Sequence, residues 1–229
     1  MQNKAKKWVL LFTALAFLLS SSVLQTQEVR DSHRFSIARL KYSGGGDWYN
    51  DPSMIPNLAR EINKRTTIRV NEEEAVVEME SPKLFQYPFL IMTGHGNIEL
   101  SPQEVKRLRL YLTQGGFLYA DDDYGMDKAF RREIKKVFPD KELVELPSSF
   151  PIYHCFYDLP HGLPKIHQHD GKPPQGFGIF DQGRLVVFYT YETNISDGWA
   201  APDVHKDPPE KREAAFRMGT NIVAYVLMN

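Results

Sequence analysis

The sequence predicts an α/β fold: a three-layer, doubly wound, mainly parallel sheet. Short apolar runs that end in glycine or aspartate alternate with amphipathic segments, which is the order of strands and helices in a parallel sheet. The chain has 229 residues, 42% of them hydrophobic, which gives room for one domain with its own core. Helices are therefore expected on both faces of the sheet, joined by right-handed crossovers.

The first strand is predicted over residues 35–42, where apolar residues alternate with polar ones, and it ends at a run of three glycines that favours a turn. Apolar residues at helical spacing predict a helix over 51–62. Two short strands are expected over 66–70 and 75–79, on either side of a solvated acidic loop.

The second half of the pattern repeats strand and helix. Residues 88–93 form a continuous apolar run, as expected of a strand covered on both faces. Ser101, Pro102 and Glu104 predict a capped helix start. That helix closes at a Gly-Gly pair, and the strand over 117–120 then runs into three aspartates. The remaining predicted elements are a helix over 126–137, strands over 178–181 and 184–191, and a helix over 209–227.

The N-terminus has the layout of a cleaved signal peptide, expected over residues 1–25. Lys4, Lys6 and Lys7 precede an apolar run over 8–19. A run of about a dozen residues is shorter than the roughly 20 of a spanning helix. We therefore expect a single mature domain over 26–229, without a transmembrane segment, in the periplasm or outside the cell.

The charge of the chain limits its binding partners, and its cysteine content limits its disulfides. With 28 basic against 29 acidic residues, the chain has no cationic excess with which to bind a phosphate backbone, so nucleic acid is not an expected partner. The single cysteine, Cys155, cannot form an internal disulfide. We expect its thiol to be buried and inert.

Four segments, taken together, carry a family resemblance: FSIARLKYSGGGDWYNDP, FLIMTGHGNIELSPQEVKRLRLYLTQGGFLYADDDYG, RLVVFYTYETNISDGWA and RMGTNIVAYVL. They resemble the family catalogued as domain of unknown function 4159, from about residue 35 to the C-terminus. The resemblance implies a branch of the class I glutamine amidotransferase-like superfamily, with ThuA-like relatives, and hence a flavodoxin-like sheet. It implies no established reaction.

The superfamily resemblance also implies where a nucleophile would lie. Its glutaminases carry a nucleophilic Cys on an elbow after a helix, a Gly-Gly pair and a short strand. Here that elbow falls on Asp121, Asp122 and Asp123, and Cys155 lies in a different context. Glutamine hydrolysis by a thiolate is therefore not expected.

His95, Asp122 and Asp123 are the candidate catalytic residues, because ligands bind beyond the carboxyl ends of parallel strands. Neighbouring carboxylates bind a divalent cation or separate into an acid and a base, and an imidazole titrates near neutral pH. The simpler alternatives are that an aspartate caps the next helix and that His95 bonds locally. No sequence motif predicts a cofactor other than such a cation.

Ligand binding is predicted for glycines and aromatic residues of the same loops. Glycines before a helix offer backbone N–H groups to an anion. Aromatic rings offer flat faces to a sugar or peptide, although such rings more often pack in a core or lid. The predicted ligand-binding residues are Gly45, Gly46, Asp47, Trp48, Tyr49, Gly94, Gly96, Tyr124 and Trp199. One solvent-accessible pocket is expected to be lined by Asp47, Trp48, His95, Asp122 and Asp123.

A histidine-rich stretch contains His154, His161, His167, His169 and Asp170. If the segment is extended, His167 and His169 share a face and can ligate one metal ion.

Two function classes stay open, so whether the protein is an enzyme is undecided. The first is a binding module that holds a cell-envelope glycan, peptide or protein. The second is a hydrolase of an ester, amide or glycoside that uses His95 with Asp122 or Asp123, with or without a metal. The sequence contains no GxSxG elbow, which favours the first class.

Overall fold

The computed structural model describes residues 34–229, so the expected signal peptide lies outside the described residues. Seven strands form one sheet: β1 Ile37–Lys41, β2 Ala75–Glu78, β3 Phe89–Gly94, β4 Phe117–Asp122, β5 Val144–Glu145, β6 Gln175–Asp181 and β7 Arg184–Tyr191. Their order is β2-β1-β3-β4-β7-β6-β5. The first five in this order are parallel, whereas β6 and β5 join antiparallel. The predicted α/β class with a mainly parallel sheet is confirmed.

Five helices accompany the described strands: α1 Met54–Arg65, α2 Pro102–Thr113, α3 Asp127–Val137, α4 Pro202–His205 and α5 Pro209–Met228. The start of α2 is the predicted capping box. The Ser101 hydroxyl accepts from the N–H of Glu104 at 3.1 Å, and the Glu104 carboxylate accepts from the N–H of Ser101 at 2.8 Å. None of the helices in residues 34–229 combines the length and apolarity that a bilayer crossing requires.

The helices cover both faces of the sheet. On one face, α2 and α3 contact each other, and their residues Leu108 and Phe130 share a core with Leu90 and Leu118. On the other face, α1 packs against α5. Alternate strand residues point to opposite faces, so every central strand is buried on both sides.

One predicted strand is wrong. Residues 66–70 follow α1 without forming a strand. The Asn63 side chain bonds to both backbone groups of Val70, accepting from its N–H at 2.8 Å and donating to its carbonyl at 2.9 Å. A side chain thus binds the one residue of this segment that forms a β-bridge, and apolar alternation alone does not reveal this.

Gly219 sets the distance between α1 and α5. A Cβ at this position would lie 2.6 Å from Leu58 and 2.7 Å from the buried ring of Trp199. Helix propensity alone favours Gly219→Ala by about 1 kcal/mol. We expect the variant instead to lower the free energy of unfolding by about 1–2 kcal/mol, because the core is overpacked.

Urea denaturation measures this change. Ala214→Gly, at a partly exposed position of the same helix, reports the propensity effect alone and should destabilise by about 1 kcal/mol. A Gly219→Ala protein more stable than the wild type would contradict the packing account.

Candidate functional site

The loops after β1, β3, β4 and β7 meet at one edge of the sheet, because these four parallel strands are neighbours. Gly94 pairs in register with Asp122. The N–H of Gly46 donates to the carbonyl of Asn97 at 2.9 Å. Residues 45–49, 94–96 and 121–124 therefore lie at the same edge, as a parallel sheet requires.

The two glycine motifs of this edge pack against each other. A Cβ on Gly46 would lie 2.7 Å from the carbonyl oxygens of both His95 and Asn97. A Cβ on Gly94, at φ 137°, would lie 2.9 Å from the Asp47 carboxylate. Close contact between the loops thus explains these two glycines. Gly45 and Gly96 lie beside them at the surface.

His95 pairs with Asp47 and remains at the surface. Its Nδ1 lies 3.0 Å from Asp47 Oδ2, and its backbone N–H donates to the same carboxylate. The imidazole is 52% exposed. Within the described residues, His95 forms no hydrogen bond with Asp122 or Asp123, so the expected catalytic group of these three residues is not assembled.

The three consecutive aspartates separate into two environments. Asp122 Oδ1 accepts from the N–H of Met126 at 2.7 Å and from the N–H of Tyr124 at 3.2 Å, so it closes the turn ahead of α3. This matches the capping alternative. Burial also raises the pKa of Asp122.

Asp121 and Asp123 turn toward the loop after β7. Asp121 Oδ2 accepts from the N–H and the hydroxyl of Ser196, both at 2.7 Å. Asp123 accepts from Ser196 Oγ at 3.2 Å and from the Asn50 amide. Burial raises the pKa of Asp121 to about 6. Burial, and then the charges of Asp197 and Asp121, hold the pKa of Asp123 well above its ordinary value.

Two further aspartates extend this buried group toward the surface. Asp197 lies 2.8 Å from His167 Nδ1 and accepts from Asn194 at 2.8 Å. Asp51 lies 2.8 Å from His205 Nε2. The carboxylate cluster therefore consists of Asp51, Asp121, Asp123 and Asp197. Within residues 36–229, histidines alone form its ion pairs. Unpaired buried charge costs several kcal/mol, so the stability of the fold does not explain the cluster.

The charges inside the cluster are uneven. Burial raises the pKa of Asp51. Burial also acts on Asp197, but the hydrogen bonds from His167 and Asn194 outweigh it and lower the pKa of Asp197. The hydrogen bond between His167 and Asp197 also raises the pKa of His167.

Buried Arg39 holds the loop that supplies Asn50 and Asp51. Its guanidinium donates to the carbonyls of Trp48 at 3.0 Å, Asn50 at 2.8 Å and Asp51 at 3.2 Å. It also pairs with Glu74. These contacts stabilise the backbone of Asp51 at φ 43°, a left-handed conformation that residues other than glycine rarely adopt.

The predicted pairing of His167 with His169 is wrong. His167 instead lies near His205, with ring centroids 5.2 Å apart. His169 bonds to Asn194 and stacks on Tyr124, with centroids 4.8 Å apart. Sequence reasoning missed four residues of the site, although all of them follow β1 or β7: Asn50, Asp51, Asp197 and His205.

A cleft of about 580 Å³ opens beside the cluster, beyond the carboxyl ends of β4 and β7. Its lining combines carboxylates, lysines and aromatic rings. Tyr124, which is 52% exposed, is on its wall. Representative lining residues are Asp122, Tyr124, Lys128, His169, Lys172 and Tyr191.

The other aromatic residues that were predicted to bind a ligand differ in solvent exposure. Tyr49 is exposed and meets half-buried Trp48 edge to face, with centroids 5.5 Å apart. Trp199 is 1% exposed, and its Nε1 donates to the carbonyl of Ala215 at 2.8 Å. Trp199 is a core residue and offers no face for stacking a ligand.

Cys155 is half-buried rather than fully buried as expected. Its thiol donates to the carbonyl of Asn221 at 3.2 Å. Burial raises its pKa to about 11.

Comparison with known proteins identifies one family. Residues 36–227 match the model of a family described as Domain of unknown function (DUF4159). No curated protein matches the chain.

The raised pKa of Cys155 predicts an unreactive thiol. A shift from 9.0 to about 11 lowers the thiolate fraction at pH 7 about 100-fold. We expect iodoacetamide to alkylate the native protein roughly 100-fold more slowly than the urea-unfolded protein. Equal rates in the two states would contradict this environment.

We also expect Cys155→Ser to fold normally and glutamine hydrolysis to be undetectable.

Proposed function

The chain belongs to the DUF4159 family, and from this premise we propose that it is an exported cell-envelope protein that binds a glycan in the cleft beyond β4 and β7. The proposed fold is that of a glutamine amidotransferase-like domain without the nucleophilic Cys. The cleft is the observation that carries the proposal.

The sheet supports the flavodoxin-like part of this proposal. Flavodoxin-like folds have the parallel order 2-1-3-4-5, and here β7 takes the fifth place after β2, β1, β3 and β4. Asp121 and Asp122 end β4 and Asp123 follows it, where glutaminases of the proposed superfamily carry their Cys.

The chemistry of the cleft suits a polyhydroxylated ligand. Tyr124 stacks on His169 and is exposed, so it offers one ring face, and Lys172 Nζ lies 5.3 Å above the Tyr191 ring. The exposed carboxylate of Asp170 can accept from hydroxyl groups, since hydroxyls both donate and accept. Rings with a few convergent polar groups are typical of small-molecule sites.

Export rests on the N-terminal sequence. Three lysines ahead of a short apolar run are typical of a signal peptide, which would deliver the mature domain to the periplasm or the cell exterior.

Hydrolysis of a glycoside is the second candidate function, because two carboxylates of the cleft have opposite pKa shifts. Burial raises the pKa of Asp122. Burial acts on Glu192 too, but hydrogen bonds from Lys165 and from the N–H of Asp170 outweigh it and lower the Glu192 pKa. One carboxyl group with a raised pKa and one with a lowered pKa in the same cleft are the arrangement that general acid and base hydrolysis uses.

Glycan binding is tested by titrating soluble peptidoglycan fragments into the purified protein, with calorimetric detection. Tyr124→Ala removes a ring face from the cleft and should weaken binding about 10-fold, which corresponds to about 1.4 kcal/mol. Tyr49→Ala removes a tyrosine outside the cleft that is even more exposed than Tyr124, and it should leave the affinity unchanged. Loss of binding in Tyr49→Ala alone would place the site at the glycine loops and contradict the proposal.

The same fragments separate binding from hydrolysis. Asp122→Asn keeps an oxygen acceptor for the turn ahead of α3, so the fold and the affinity should persist. Product release by the wild type that disappears in Asp122→Asn would favour the hydrolase. Binding without product release in either protein would favour the binding module.

A further inference from the structure

The surface end of the carboxylate cluster brings two histidines and two aspartates together. We propose that His167, His205, Asp197 and Asp51 bind a divalent transition-metal ion of the zinc class. The site is separate from the glycan cleft, so it goes beyond the proposed function.

Three of the four donor atoms are spaced as metal ligands require, and Asp51 adjoins one of them. One ligand atom each from His167, Asp197 and His205 lies within 4.8 Å of the other two. His167 Nδ1 is 2.8 Å from Asp197, and His205 Nε2 is 3.8 Å from Asp197 and 2.8 Å from Asp51. Ligands of tetrahedral Zn²⁺ at roughly 2.0–2.1 Å are about 3.3 Å apart, so small side-chain shifts suffice to place an ion between them.

The carboxylate that pairs with the other ring nitrogen of His167 is the first independent support for the metal site. Its Nε2 lies 3.0 Å from the carboxylate of Asp207, whose side chain is only 6% exposed. Metal-ligating histidines usually pair their other ring nitrogen with a carboxylate, which fixes the ring and its tautomer. With Asp207 on Nε2, Nδ1 is the nitrogen directed at Asp197 and available to an ion.

An unpartnered polar atom is the second support. Asn50 donates to Asp123 through its amide nitrogen, while its amide oxygen is buried and has no partner in the described part of the chain. Asp123 belongs with Asp51 and Asp197 to a second set of close donor atoms. Buried polar atoms nearly always have partners, so an unsatisfied oxygen beside these carboxylates points to a cation or its bound water.

The ligand set selects the class of metal. Two imidazoles with two carboxylates suit zinc and similar transition metals, whereas Ca²⁺ and Mg²⁺ take oxygen ligands. The ion would also neutralise carboxylates that only histidines otherwise offset. It can enter from solvent, because the His167 and His205 side chains are 25% and 28% exposed.

Calorimetric titration of the chelator-treated protein with Zn²⁺ tests the proposal. We expect one ion per chain, with a dissociation constant of about 1 µM or tighter. His205→Gln should weaken binding by more than about 100-fold, and Asp207→Asn, which affects only the support of His167, by about 10–100-fold. His154→Gln is the matched control, because His154 forms an exposed pair with Asp158 away from the cluster and should leave binding unchanged.

Co²⁺ absorption gives a second readout that does not depend on stability. The wild type should show the intense visible bands of a tetrahedral site, and His205→Gln should lose them while its circular dichroism stays native. Absence of Zn²⁺ binding by the wild type would overturn the proposal. Equal weakening by His154→Gln and His205→Gln would likewise overturn it, since binding would then reflect surface histidines in general.

Discussion

Four neighbouring carboxylates, three buried and one half-buried, are the constraint on which this structure depends. Histidines are the charged partners of two of them, Asp51 and Asp197. The carboxylate cluster occupies the point where the ends of β4 and β7 meet, and Ser196 joins two of its members. Desolvation and mutual repulsion both oppose such an arrangement. A fold that contains the carboxylate cluster requires rigid support around these side chains. Ligand chemistry at this position gives a reason for the cluster.

The support comes from loops held in strained or tightly bonded conformations. Arg39 binds three carbonyl groups of the loop after β1. Asp51, Tyr124, Glu192 and Asn194 all have positive φ, and all lie at this edge of the sheet. Strain that gathers at one place, offset by packing elsewhere, is characteristic of functional sites. The cluster and the neighbouring cleft beyond β4 and β7 therefore share one pre-organised edge.

Local sequence signals predicted most of the fold. Apolar runs, the capping box at Ser101 and the Gly-Gly pair locate β3, α2 and β4 almost to the residue, because these signals act over a few positions. The predicted strand over 66–70 is wrong: only Val70 forms a β-bridge, and the Asn63 side chain binds both of its backbone groups. The position of the site at the carboxyl edge also followed from the parallel order of the strands.

The partners within the site could not be predicted in the same way. His95 was grouped with Asp122, yet it pairs with Asp47, which is 48 residues away in sequence. His205 meets Asp51 from the far end of the chain. Such pairs depend on the path that the loops take in space, including the loop after β7, and no local sequence pattern predicts that path. Trp199 was placed at the rim because it follows a strand, whereas its ring turns into the core.

The most direct test is the free energy of unfolding of chelator-treated Asp123→Asn at pH 8 and pH 5. A carboxyl group whose pKa is raised by folding contributes stability below its ordinary pKa and loses it as pH rises, so at pH 8 this group disfavours the folded state of the wild type. The substitution removes the ionisable group and gives the unpartnered Asn50 oxygen a donor. We predict that the variant is more stable than the wild type at pH 8 and that the gain shrinks at pH 5. A variant less stable at both pH values would show that the carboxylates serve the fold, and would contradict the account.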